Sequence, residues 1–203
     1  MAYNENEEYV EKVNNTLTAG VCADGLKDGM SIKVFICFLV DRFKGILTKT
    51  DIIDVVFERE LVNYFEICAA IEELIANGFV LCDAETGILS LSSSGRMTVE
   101  SLTNDLPLTV REKAVYAMEK RFERRHHEQE TSVEIVDVED GCQINCTLLG
   151  STSPMMSVSL YLPDRNRALD AKERFIDDPE YVYRILLAHL TGEASLAPKN
   201  DQN

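Results

Sequence analysis

What this chain lacks narrows its class first. No run approaches the ~18 apolar residues that a membrane-spanning helix needs, and the longest, residues 34–40, has the length of a buried helix segment. The N-terminus has no basic-then-apolar pattern of a secretion signal, so the expectation is a cytoplasmic protein with no membrane partner. There is no internal repeat, no glycine-rich phosphate loop and no serine in a nucleophile elbow. No catalytic residue, cofactor or metal is assigned, and the chain does not read as an enzyme. Positive charge is also scarce. There are 20 Lys+Arg against 35 Asp+Glu, a formal net charge of −15, which opposes non-specific nucleic-acid binding. Residues 1–107 hold 8 Lys/Arg against 18 Asp/Glu, and residues 108–203 hold 12 against 17. The N-terminal half is therefore the more acidic one.

What is present begins with residues 48–91, around which the rest is organised. Asn63 is a helix cap, with Glu66 three residues on to close a capping box and Val62 against Ile67 as a hydrophobic staple. Ile67, Ala70, Ile71, Leu74 and Ile75 then form a stripe at helical spacing, stopped by Gly78. Upstream, Thr48 and Asp51 start a helix carrying Ile52, Val55, Val56 and Leu61. Downstream, residues 79–82 and 88–91 are short apolar runs around a turn-rich loop at residues 83–87, a hairpin. The order helix, turn, helix, hairpin predicts a winged helix.

The remaining elements follow in order. Residues 1–29 are a polar, acidic extension, either a short amphipathic helix (Tyr9, Val13, Leu17) or a docking tail. Ser31 caps a helix over residues 31–43 that is apolar nearly all round. Another helix runs over residues 92–104. Thr109 and Glu112 form a capping box for a long helix reaching about His127. Val110, Ala114, Met118 and Phe122 repeat along it every four residues, a stripe for its own core or for a second subunit. The second choice gives an expected homodimer. Residues 131–162 switch to period two: one strand spans residues 133–138, with a phase slip between Ile135 and Val136 that suggests a bulge. Cys142, Ile144, Cys146 and Leu148 form the inner face of the next, and Met156, Val158, Leu160 and Leu162 that of the third. Asp140-Gly141 is a hairpin turn. Helices over residues 165–176 and from Asp178-Pro179 to Gly192 are expected to cover the sheet.

The fold class is thus α+β: an N-terminal winged helix-turn-helix domain (30–106), a linking helix (107–129) and a C-terminal three-stranded antiparallel sheet covered by two helices (130–193), with a tail at 194–203.

The residues Asn63-Tyr64-Phe65, Glu73-Leu74-Ile75 with Gly78, and Leu89-Ser90-Leu91-Ser92 with Gly95 resemble an uncharacterised bacterial family of winged-helix-like proteins, a domain of unknown function in anaerobic Gram-positive species. A Thr often opens the last of these helices in that family; here it is Ser92. Ala171-Lys172 and Leu190-Thr191-Gly192 resemble the family's tail. The Glu-Leu-Ile-x-x-Gly part is common to many winged-helix regulators. The resemblance implies a regulator-like fold and no activity.

Two functions stay open. In the first, the protein is a transcriptional regulator that binds double-stranded DNA through Lys49, Asn63, Tyr64 and Arg96. In the second, it is a winged-helix interaction or scaffold protein with a protein partner. The second helix has no Lys or Arg between Leu61 and Gly78 and offers Glu66, Glu72 and Glu73 instead, which phosphates repel. The most basic stretch lies elsewhere: Arg111, Lys113, Lys120, Arg121, Arg124 and Arg125, either a phosphate-facing patch or a solvated face with ion pairs along the helix. Adjacent His126 and His127 diverge on a helix and do not share one ion. His189 falls on an apolar side. Met155, Met156 and Tyr161 either line a pocket or pack. Of the six cysteines, Cys22, Cys37, Cys68 and Cys82 sit at core-like phases, and Cys142 and Cys146 share a strand face. All six are expected to be reduced, packing thiols.

Overall fold

The computed structural model of the chain describes residues 21, 25–193 and 195. The expected extension up to residue 20, Cys22 and most of the tail lie outside the described residues. Two compact units divide between Glu119 and Lys120. The described residues form an α+β structure with seven α-helices, a two-stranded hairpin and a three-stranded antiparallel sheet.

In the first unit, α1 spans Gly29–Arg42 and its cap is Asp28, not Ser31. The Asp28 carboxylate accepts from Met30 N at 3.1 Å and Ser31 N at 2.9 Å. An aspartate adds charge to the capping geometry, which complements the positive helix start and moves the boundary upstream. α1 buries Ile32, Val34, Phe35, Ile36, Cys37, Leu39 and Val40, so it is the centre of this unit's core. α2 spans Lys49–Glu58, with Thr48 and Asp51 in a reciprocal capping box. α3 spans Tyr64–Ala76, capped by Asn63, whose side chain accepts from Phe65 N at 2.9 Å. Its buried residues are Ile67, Ala70, Ile71 and Leu74, the predicted stripe apart from Ile75. Gly78, at φ +72, ends it; this left-handed backbone is one that glycine adopts at least cost.

The hairpin pairs β1 (Val80–Cys82) with β2 (Leu89–Leu91), Leu81 opposite Ser90. It is tied back to the entrance of α2. Thr48 bridges Ile88, and Leu89 N donates to Leu47 O at 2.8 Å. α4 (Ser93–Leu102) follows, capped by Ser92.

α5 runs over Leu108–Glu130. The expected Thr109 cap is therefore a residue inside the helix. Pro107 precedes it, and Arg111 N donates to Pro107 O at 3.2 Å. A proline with fixed φ and a free carbonyl starts the helix without the hydroxyl cap. The unit boundary falls within this helix.

In the second unit, β3 (Thr131–Val138), β4 (Gly141–Leu149) and β5 (Pro154–Leu162) form a meander in chain order. β3 pairs with β4 in unbroken register from Thr131↔Leu148 to Val138↔Gly141, so the bulge expected at Ile135-Val136 is absent. Alternation resolves the phase slip: Val133 and Ile135 face the core, and Val136 lies on the open face, 41% exposed. The register shifts instead at Leu148/Leu149, opposite β5. α6 (Arg165–Asp177) and α7 (Pro179–Thr191) cover one face. Ile144, Cys146, Leu148 and Phe175 form that core, with Ala171, Val182 and Tyr183 packed against it. α7 has the expected Asp178 cap, Pro179 at its start and a left-handed Gly192 at its end.

Two glycines separate packing from backbone effects. A Cβ at Gly95 would sit against Phe79 O and Leu91 Cδ2, whereas one at Gly29 meets nothing within 4 Å. Gly95→Ala should therefore cost about 1–3 kcal/mol through overpacking. Gly29→Ala, in the first turn of α1, should gain about 0.4–1 kcal/mol through the unfolded chain. Urea midpoints of the two variants test this: equal midpoints would mean that α4 does not sit tightly on the hairpin.

Candidate functional site

α3 is where the sequence places the reader of a macromolecular partner, and its chemistry is acidic throughout. Lys49, at the first position of α2, reaches it with Nζ 2.7 Å from Glu72 Oε1, and this bond raises the lysine pKa. Lys33 of α1 pairs with Glu73 at 2.5 Å. The two lysines nearest this helix are thus each bonded to one of its own carboxylates. Glu66, in the first turn, has its Oε2 buried without a hydrogen-bond partner, and desolvation pushes its carboxyl pKa up. An exposed ion pair is worth only about 0–1 kcal/mol, so phosphate could displace Glu72 from Lys49. The larger obstacle is number: α3 itself supplies no cation to neutralise phosphates, and tight duplex binding uses several.

The other expected contacts do not gather there. Asn63 and Tyr64 stand at the N-terminal end of α3. Arg96 is exposed on α4, and further along α4 Thr98 and Leu102 line a cleft of about 350 Å³ with Leu74 and Asn77, near the other end of α3. That is roughly 15–20 Å of helix away at 1.5 Å per residue. The hairpin loop adds no positive charge. Asp83 Oδ1 accepts from Thr86 Oγ1 at 2.7 Å, Thr86 N at 2.7 Å and Glu85 N at 3.1 Å. These bonds, that of the Thr86 side chain first, hold its carboxyl below the usual range.

The basic stretch on α5 is also engaged within the chain. The Arg124 guanidinium bonds Glu173, and lies 2.5 Å from Asp177 and 3.3 Å from Glu128. It clamps α5 to α6 rather than facing outward as a free cation. Lys120 pairs with Glu123 at 2.7 Å, and Arg125 stacks over Phe122, 5.3 Å from the ring centre. Arg111 has its Nε buried without a hydrogen-bond partner. Lys113 lines a surface depression with Glu58, Arg59, Glu60 and Tyr116. Arg121 is half-buried. Val110, Ala114 and Met118, three of the four expected dimer contacts, are fully buried within the single chain. They have no surface to offer a second subunit, and only Phe122 of the four remains partly open.

An aromatic surface that the sequence reading only touched lies at the turn between α2 and α3. Phe57, Tyr64 and Phe65 are 60%, 46% and 77% exposed. Their rings meet edge to face, with centroids 6.0 Å apart for Phe57–Tyr64 and 5.7 Å for Tyr64–Phe65. A signal for it was present. At 100° per residue, Phe57 and Phe65 point about 170° away from the mean direction of the buried residues of their helices. Glu58 and Glu60 are exposed beside it in the chain, and Tyr116 is 59% exposed.

Among the described residues, the histidines and cysteines form no centre. His127 Nδ1 lies 3.0 Å from Ile176 O, and His126 Nε2 lies 3.3 Å from Glu130 Oε1, so the two rings diverge. His189 is exposed rather than on the apolar side, because Ala188 takes the buried position. Met155 and Tyr161 lie on the open sheet face and Met156 on the covered one, so no single pocket takes all three. Among the described residues, no group of three or more His, Cys, Asp or Glu is placed to hold a metal ion. No helix among them is long and apolar enough to cross a membrane.

The model of the family described as a domain of unknown function, DUF4364, matches residues 32–190. The chain belongs to this family. No curated protein and no solved structure matches the chain.

Cys82, expected in the core, is exposed at the end of β1. Cys68 is half-buried, and Cys37, Cys142 and Cys146 are buried. Burial pushes the Cys37 thiol up to about 11 and raises Cys146 as well. For Cys142, burial and then a bond to Asp137 raise it. Native alkylation near pH 8 should therefore label Cys82 first and these three at least about tenfold more slowly. Peptide mapping over time reads this, and early labelling of Cys37 would contradict its place in α1.

Proposed function

We propose that residues 30–106 form a winged helix that works as a protein-docking module, with its second helix not reading DNA. Support for the winged helix is the order α1–α2–α3–hairpin. It is joined by the backbone bond from Leu89 to Leu47 and the single bridge between Thr48 and Ile88, which hold the entrance of α2 beside the hairpin. The observation that carries the docking reading is the pairing of an acidic α3 with the exposed Phe57–Tyr64–Phe65 surface at its start. Fully burying a side chain such as Phe gains about 1.5–3 kcal/mol, and aromatic residues are the usual anchors of protein interfaces. Glu58 and Glu60, exposed beside it, select a partner segment that carries apolar anchors flanked by Lys or Arg.

A DNA-binding regulator is the second reading. It is favoured by the helix-turn-helix plan and by the six Lys and Arg residues gathered on α5. It needs those residues, not α3, to supply the phosphate contacts.

Two measurements separate the readings. The purified protein, incubated with pooled genomic DNA fragments over a salt series, should retain none even at low salt. Retention that falls steeply as salt rises would overturn the docking reading in favour of a regulator. A photo-crosslinker placed at position 65 should capture a defined protein from a lysate of cells expressing the chain. Reversing Glu58 and Glu60 to Lys should reduce that capture about tenfold or more. Capture that does not respond to the reversal would remove the charge complementarity from the proposal.

A further inference from the structure

We propose that two copies of this chain pair antiparallel along the outer edge of β5, joining two three-stranded sheets into one six-stranded sheet. β5 lies at the end of the strand order and pairs with β4 alone among the described residues. An edge strand presents a row of unsatisfied backbone groups, and natural proteins protect such edges with charges, bulges or very short strands. The other edge of this sheet is protected: β3 carries Glu134 and Asp137. β5 is nine residues long, Pro-Met-Met-Ser-Val-Ser-Leu-Tyr-Leu, with no charge and with its proline only at the first position.

The missing charge extends further. In a chain that is 27% charged, residues 141–163 contain no Asp, Glu, Lys or Arg. With a net charge of −15, two copies repel at most approaches. This edge is a surface on which they can meet without bringing carboxylates together, and that identifies the partner as a second copy.

The core points the same way. Ile144 of β4 is 1% exposed, but Leu160, directly opposite it on β5 and on the same face, is 54% exposed. The helices cover β4 and leave the apolar face open at the edge strand. A two-fold axis near Val158 sets Leu160 beside the partner's Met156, and the reverse, so the same side chains serve both sides of an isologous contact. Nine paired residues run for about 30 Å. With the flanking side chains, that buries on the order of 600–800 Å² per copy, the size of a standard stable interface.

This contact is separate from the docking surface on the first unit, so either can fail without the other. The test is sedimentation of the full chain across roughly 1–100 µM, with hydrogen exchange at both ends of that range. The expected result is a concentration-dependent dimer whose β5 amides are protected at the high end and exchange faster on dilution, with β3 amides unchanged. Leu160→Lys should weaken self-association at least about tenfold. Val136→Lys, on the open face of β3, should leave it intact. A chain monomeric at 100 µM would overturn the proposal. So would a dimer in which β5 amides exchange equally at both concentrations; that exchange result on the unaltered chain decides the matter even where Leu160→Lys does not fold.

Discussion

The first unit depends on one small knot of hydrogen bonds. Asp51 is a charged residue only 1% exposed. A carboxylate so deeply buried is costly unless it is bonded, and Thr48 supplies that bond twice, from its N at 3.1 Å and its Oγ1 at 2.7 Å. The same Thr48 bridges Ile88. The residue that starts α2 therefore also anchors the hairpin, and the two elements take positions relative to one polar group. Lys49 follows directly and is delivered to Glu72 of α3. Removing the knot would disturb the helix start, the hairpin and the electrostatics of α3 together.

Charge in this unit is balanced locally rather than pooled into a patch. Lys33 and Lys49 each meet a carboxylate of α3, and Arg42 meets Glu119 at 3.3 Å. Each pair is weak by itself. Together they commit these three cations within the chain, whereas a phosphate backbone needs a row of uncommitted ones. The Asp83 loop shows the same economy, with its carboxylate turned onto its own backbone. What such a surface has left for recognition is shape and aromatic area, which is why Phe57, Tyr64 and Phe65 carry the proposed function.

The parts of the fold that were legible in the sequence share a cause: a local rule agreed with a tertiary need. Thr48 with Asp51, Asn63, Gly78, Asp178-Pro179 and Gly192 all mark helix ends by backbone chemistry that acts within a few residues, and all stand where expected. The paired strands of the second unit were readable because one face is buried, which fixes the period at two. The misplacements arose where two local signals competed. Asp28 out-caps Ser31, and Pro107 makes a hydroxyl at Thr109 unnecessary. Ile135-Val136 mimics a slip because Val136 is a valine on the open face, where the strand does not require burial. The basic run on α5 was legible as charge, but not as Arg124 reaching Glu173 and Asp177. Those partners lie far along the sequence, and only folding brings them together. The aromatic surface was visible in the phase of Phe57 and Phe65, although the stripe opposite drew the reading towards the core.

The meander of the second unit also has a history in time. β3, β4 and β5 are neighbours in space in the order in which they leave the ribosome, so the sheet can close through short loops, and topologies of this kind form quickly. The helices that shield it, α6 and α7, emerge only afterwards. For that interval a nascent chain carries a complete, uncharged strand edge with neither its helical cover nor a partner, the kind of intermediate that sticks to its own kind. When fewer chains are made at once, fewer such edges are exposed together, and association between them falls with their concentration. Soluble yield should therefore rise as fewer chains are synthesised at once, because the open edge of β5 sets how many can safely be made together.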